Sequence, residues 1–132
     1  MSMERIKSLS DERIIVEAKI NGEAACFLID TGASVGMIDY CQHNDYGLKV
    51  GRKYSGTIIG AGGRMKNVRH CDTFVELKGK TIPQFLFADI SSIVESIERE
   101  TGVKILGIIA LPQMKWAGIN IDTNSGEVWL ED

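Results

Sequence analysis

Proline is scarce in this chain, at two residues in 132, and so is histidine, at two. With no proline-rich or low-complexity stretch, no linker divides the sequence, and no internal repeat is present. No Ser/His/Asp arrangement stands out, so a serine-hydrolase reading has nothing to build on. Three cysteines, Cys26, Cys41 and Cys71, are an odd number in a chain long enough to fold without staples, which argues against a disulfide framework and for a reducing compartment. No apolar run approaches a bilayer-spanning length, and residues 1–10 hold no apolar signal core. The chain therefore reads as soluble, untargeted and cytoplasmic, with no membrane partner. Charge of one sign is lacking too: 15 basic and 18 acidic residues leave a net charge of −3, no block of Lys and Arg stands out, and nucleic acid is not an expected partner.

What the chain does have is 44% hydrophobic and 25% charged residues, the balance of one domain with a real core. Residues 1–12 read as an N-terminal extension and residues 13–132 as the folded domain. Residues 13–20 and 24–29 flank Asn21-Gly22, a strong hairpin signal. Residues 35–38 read as a short buried strand, and residues 39–46 as a helical turn stopped by Gly47. A strand over residues 54–59 leads into Gly60-Ala61-Gly62-Gly63. A long strand-like segment then covers residues 64–77, and another strand covers residues 82–89 with Pro83 near its start.

The pattern Ser92-x-x-Glu95 predicts a capping box, with Ile90, Ile93, Val94 and Ile97 on one helical face until Thr101-Gly102. Residues 103–107 read as a strand, residues 108–116 as a second helix with Pro112 in its first turn, and residues 119–122 and 127–130 as a closing hairpin. Many short strands with one or two short helices predict a mainly β domain, a small closed or folded-over sheet.

One residue does not fit that bland picture. Ala25-Cys26-Phe27-Leu28-Ile29 is an apolar strand that runs straight into Asp30, and a carboxylate at the end of a buried strand is costly unless it is hydrogen-bonded, paired or neutralised. Thr31-Gly32-Ala33-Ser34 follows, with hydroxyls and a glycine suited to a tight loop that cradles one carboxylate, although the same residue types also make ordinary turns.

Three segments then stand in order: Asp30-Thr31-Gly32-Ala33-Ser34, the glycine-rich Ile58-Ile59-Gly60-Ala61-Gly62-Gly63, and Ile105-Leu106-Gly107. This ordered set resembles the retropepsin-like aspartic proteases over nearly the whole chain, with cellular and bacterial members nearer than viral ones. The resemblance implies an acid-protease fold, a small β-barrel-like domain in which the apolar-apolar-Gly strand runs beside the catalytic loop. It implies an endopeptidase without cofactor, acting on a peptide or protein substrate. Asp30, Thr31 and Gly32 would be its catalytic loop, with Thr31 tying two such loops together. Ala33, Ser34, Ile58, Ile59, Gly60, Ala61 and Gly62 would meet substrate, the last five as a flap. The Ser34 hydroxyl would donate to Asp30. Because the mechanism needs two carboxylates and the chain offers one such loop, a homodimer would supply Asp30 twice.

The sequence departs from the family in Ile108-Ile109-Ala110-Leu111, wholly apolar where relatives carry a polar residue. That departure keeps open an inactive peptide-binding or dimerisation module. A third reading takes Cys41, His43, His70 and Cys71 as a zinc set in a structural domain, although their spacing matches no regular zinc motif. Asp39, Asp45 and Asp72 read as solvated acids. Trp116 and Trp129 read as core or as dimer anchors.

Overall fold

The computed structural model describes residues 4–60 and 63–131. Its described residues form an eight-stranded sheet, a three-stranded sheet and a two-stranded hairpin. In chain order the large sheet contains β2 (Ile15–Ile20), β3 (Glu23–Asp30), β4 (Gly36–Asp39), β7 (Arg69–Cys71), β8 (Val75–Leu77), β9 (Lys80–Ile82), β10 (Phe85–Ala88) and β11 (Gly107–Ala110). The spatial order is β7-β10-β4-β11-β3-β2-β8-β9. The hairpin pairs β5 (Ile59–Gly60) with β6 (Gly63–Arg64). The small sheet sets β13 (Glu127–Leu130) between β1 (Arg5–Lys7) and β12 (Ile119–Asp122). Two helices complete the fold, α1 (Ser91–Thr101) and α2 (Leu111–Ala117), with a 3₁₀ helix at Tyr40–Tyr46 ended by left-handed Gly47. No described helix is long and apolar enough to cross a membrane.

The near-continuous apolar runs are explained by burial on both faces. A strand covered on one side alternates, whereas one covered on both does not. In β3, Ala25, Phe27 and Ile29 enter one cluster, together with Ile38, Phe85, Phe87 and Ile109; Leu28 enters a second, with Ile15, Met37, Leu86 and Ile108. Met114 and Ala117 of α2 and Val128 of β13 cover the first. Ile90, Val94 and Ile97 cover the second, joined by Tyr54, Ile58 and Met65 from the arms of the glycine-rich hairpin. The β2–β3 turn takes Asn21 and Gly22 at φ 52° and 80°, the hand that a two-residue hairpin needs.

Several boundaries differ from the sequence reading. Ile108-Ile109-Ala110 is not helical: these residues are the middle of the sheet, parallel to Phe27–Asp30 on one side and antiparallel to β4 on the other. A short apolar run cannot be assigned from periodicity alone, and here the tertiary environment decides. Gly107 is needed at this crossing, since a Cβ there would fall on the Met37 carbonyl and against the Phe27 ring. Residues 64–77 break into three strands, residues 82–89 keep only Phe85–Ala88 as one strand, and residues 54–58 lie outside any strand.

The Ser92/Glu95 box does not form; Asp89 instead accepts from the Ser91 hydroxyl (2.6 Å) and amide (3.0 Å) at the start of α1. Those bonds, the hydroxyl first, hold the Asp89 carboxyl below its ordinary range. Ile93 is exposed rather than on the buried face of α1. Residues 5–7 pair with Glu127–Trp129, and the Arg5 guanidinium stacks over Trp129 at 4.1 Å, while Trp116 is left 71% exposed.

Candidate active site

Asp30 is the last residue of β3, and its loop is fastened on both sides. Its Oδ1 accepts from the Gly32 amide at 2.9 Å, and its carbonyl accepts from the Ala33 amide at 3.1 Å, which closes the turn. The Ala33 carbonyl accepts in turn from Leu111 at 3.2 Å, tying the loop to the start of α2. Within the sheet, Asp30 pairs with Ala110 of β11. Asp30 is half-buried, and Thr31, Gly32 and Ser34 are exposed. Strand alternation places Asp30 on the face of Cys26 and Leu28, the same face against which Ala33, Ile58 and Met65 pack. The expected Ser34 contact is not made: the described hydrogen bond to the Asp30 carboxylate comes from Gly32, with Ser34 turned to solvent.

Two features behind the loop were not visible in the sequence. The first is Gln113, 4% exposed, whose Oε1 accepts from the Ala110 amide (2.9 Å) while its Nε2 donates to the carbonyls of Pro83 (2.8 Å) and Gln84 (3.4 Å). Its amide fills the space where a Cβ on Gly36 would stand, so the glutamine in this position requires a glycine there. The only sequence signal for it was a Gln in the third position of a proline-started helix.

The second is Arg13, a charged neighbour of the loop that bonds elsewhere. The register Ile15↔Leu28, with the Ile29 amide donating to the Ile14 carbonyl at 2.9 Å, runs on to bring Arg13 beside Asp30. Its guanidinium donates to both oxygens of Glu100 at 2.9 and 3.1 Å. Those bonds and the Glu100 charge raise the Arg13 pKa, Asp30 adding to it, and the same hydrogen bond holds Glu100 below the carboxylate range. The partners lie 87 residues apart, which no local pattern reveals.

The glycine-rich segment forms a hairpin, with Ile59 opposite Arg64 and Gly60 opposite Gly63. Ile58 packs inward, on the same cluster as Ala33, and its carbonyl accepts from the Met65 amide at 2.9 Å. Ile59 points away and is 78% exposed. Ala61 and Gly62, also expected at the tip, lie outside the described residues.

The four residues of the zinc reading are not brought together. His43 Nδ1 sits 2.7 Å from the Tyr40 carbonyl, His70 packs edge-on to Tyr54, and Cys71 is buried with its thiol toward the Thr73 carbonyl. Among the described residues, the one group with metal-ligand geometry is Asp39, Cys41 and Asp89, and its atoms are already engaged. The Cys41 thiol donates to Asp89, and burial, then that bond, pushes its pKa up. Asp39 is not solvated as its sequence context implied. It is 2% exposed and accepts from the Cys41 amide (3.2 Å), the Gln42 side chain (3.0 Å) and the Ile90 amide (3.4 Å).

Comparison with known proteins agrees with this architecture. A family model described as Aspartyl protease matches residues 16–110. A search of curated proteins finds no match. The chain is similar to the EIAV protease solved in complex with the inhibitor HBY-793, with 25% identity over 78% of this chain and 86% of that one, at a TM-score of 0.57. It shares its fold with a retropepsin-like aspartic protease from Rickettsia conorii, with 17% identity, coverage of 98% and 89%, and a TM-score of 0.58. It also shares it with the retroviral protease-like domain of Ddi1 from Leishmania major, with 17% identity, coverage of 91% and 94%, and a TM-score of 0.54. The mainly β fold is retropepsin-like, and the chain belongs to the aspartyl protease family.

Proposed function

We propose that the protein is a homodimeric aspartic endopeptidase that hydrolyses peptide bonds with Asp30 from each of two subunits. The observation that carries this reading is a single Asp-Thr-Gly loop whose acid ends a central strand, held by one backbone amide, while Thr31 and Gly32 stand exposed where a second copy can meet them. Two carboxylates drawn close cannot easily both carry charge, so they share a proton. The ionised one takes a proton from a water molecule, which attacks the scissile carbonyl as the protonated one donates to its oxygen. Collapse of the tetrahedral intermediate expels the amine, which receives a proton from the dyad.

In this reading Thr31 joins the two loops, Gly32, Ala33 and Ser34 line the cleft floor, and the hairpin carrying Ile58, Ile59 and Gly60 is a flap. It closes over an extended peptide, excludes water and offers backbone groups to the substrate. Ala61 and Gly62 enter the flap on the sequence pattern alone.

The inactive-module reading drew on the apolar run after Gly107; burial of Ile108–Ala110 within the sheet gives that run a structural role in either reading. The two readings separate on incubation with an unfolded polypeptide from acid to neutral pH. Cleavage is expected, with a rate that rises faster than the first power of protein concentration while the dimer is partly dissociated. Binding of the polypeptide with no cleavage at any pH would overturn the enzyme in favour of the module.

A further inference from the structure

The near-zero net charge conceals a segregation. Six of the 15 basic residues (Lys49, Arg52, Lys53, Arg64, Lys66 and Arg69) fall between Asp45 and Asp72, a stretch with no acid, while all 18 acids lie outside it. Because these cations are spaced along the sequence, no basic block is visible there; folding collects them on the two arms of the glycine-rich hairpin. The arms pair near the root, where Lys53 bridges Arg69 and the Tyr54 amide donates to the Val68 carbonyl at 2.9 Å. They pair again at Ile58–Met65, and between these points the ladder skips residues 55–57 and 66–67, with Asn67 in the left-handed region at φ 58°. The gap is a cavity of about 620 Å³ whose charged lining is Lys53, Arg64 and Lys66, with Ser55, Thr57 and Asn67 as polar neighbours. None of the three cations forms an ion pair among the described residues, although such pairs are made by Arg5, Arg13 and Lys78.

We infer that this opening is an anion-binding subsite that takes carboxylate side chains of the polypeptide substrate, outside the cleft at Asp30. Three like charges around one cavity repel one another, and a carboxylate placed among them relieves that repulsion while accepting from hydroxyl and amide donors on the rim. A polypeptide fits better than nucleic acid. Beyond residues 46–71 the chain holds nine basic residues against 18 acidic ones, so a continuous polyanion extending past the two arms would meet a remainder of net negative charge. Acidic side chains on an otherwise neutral strand meet only the opening. The inference rests on the proposed peptide substrate and adds a preference to it, for sequences with Glu or Asp beyond the cleaved bond.

The test uses the full chain with Asp30→Asn, so that binding is read without turnover, and fluorescently labelled oligoglutamate and oligoglutamine peptides followed by anisotropy. Oligoglutamate is expected to bind and oligoglutamine not to. Adding Lys53→Gln, Arg64→Gln and Lys66→Gln together is expected to weaken oligoglutamate binding by at least about tenfold, as is about 0.5 M salt. Lys53→Arg with Lys66→Arg keeps the charges and is expected to keep the binding. The single variant Lys66→Gln, at an exposed position, gives a partial loss in the same direction should the triple variant fold poorly. Equal binding of the two peptides, or undiminished oligoglutamate binding by a folded triple variant, would overturn the inference. Tighter binding of a single-stranded oligonucleotide, lost in the same variant, would reassign the opening to nucleic acid. Failure here with wild-type cleavage of a neutral unfolded substrate intact removes the subsite alone. Oligoglutamate binding without any wild-type cleavage removes the proposed hydrolysis alone.

Discussion

Asp30→Asn is expected to lower kcat for peptide-bond cleavage by at least about 10³-fold while leaving the fold intact. The size follows from the symmetry of the proposed homodimer: one substitution in the gene would replace both carboxylates of its dyad, leaving neither the base for water nor the acid for the carbonyl. The fold is expected to survive because Asp30 is only half-buried and the Gly32 amide, which donates to its Oδ1, can donate to the Asn Oδ1 instead. Arg13 stays engaged by Glu100 through two bonds and does not depend on the Asp30 charge for its position. Initial rates on an unfolded polypeptide, beside a thermal unfolding curve for each protein, check both halves. Equal cleavage by wild type and variant would show that the chemistry belongs to other residues.

The second large effect lies away from the chemistry. Asp39→Ala is expected to lower unfolding free energy by about 4 kcal/mol, because it removes the acceptor of three donors, two of them in buried bonds, and leaves Gln42 with the Ile105 carbonyl alone. Those donors are the Cys41 amide at the head of the 3₁₀ helix, the Gln42 side chain, and the Ile90 amide at the start of α1. Asp39 also pairs in register with Ala88, so the carboxylate joins β4, β10 and both helical starts at one point. Asp39→Asn retains an acceptor and is expected to cost less than the alanine variant. Urea unfolding of the three proteins measures the difference. Alanine and wild type of equal stability would mean that these donors are hydrated in solution.

Asp39 also marks the limit of what could be read without coordinates. Features carried by near neighbours were legible: the Asn21-Gly22 turn, the apolar strand ending at Asp30, the turn stopped by Gly47, and the closing hairpin Ile119–Asp122 with Glu127–Leu130. Asp39 looked solvated because its sequence neighbours are polar, yet its environment is built by β10 and α1, some fifty residues away. Gln113 and the Arg13–Glu100 pair were invisible for the same reason: their partners are fixed by topology, not by spacing. Ile108-Ile109-Ala110 was misread as helix because a strand buried on both faces loses the alternation that identifies strands. The cationic opening in the hairpin escaped because its charges are interleaved with uncharged residues and meet only when the two arms pair. Of the candidate site, the Asp30 loop and the hairpin were readable as motifs, whereas the Gln113 bonds behind the loop and the Arg13–Glu100 pair beside it were not.

The claim that joins these features is that one functional site uses Asp30 from two chains. Its most direct measurement mixes wild-type and Asp30→Asn subunits at constant total concentration, under conditions that let them exchange, and follows cleavage rate against the wild-type fraction. If a site needs both carboxylates, the rate falls as the square of that fraction and an equal mixture retains about one quarter of the wild-type rate. A rate that falls linearly, leaving about one half in the equal mixture, would show that each chain works alone and would contradict the account.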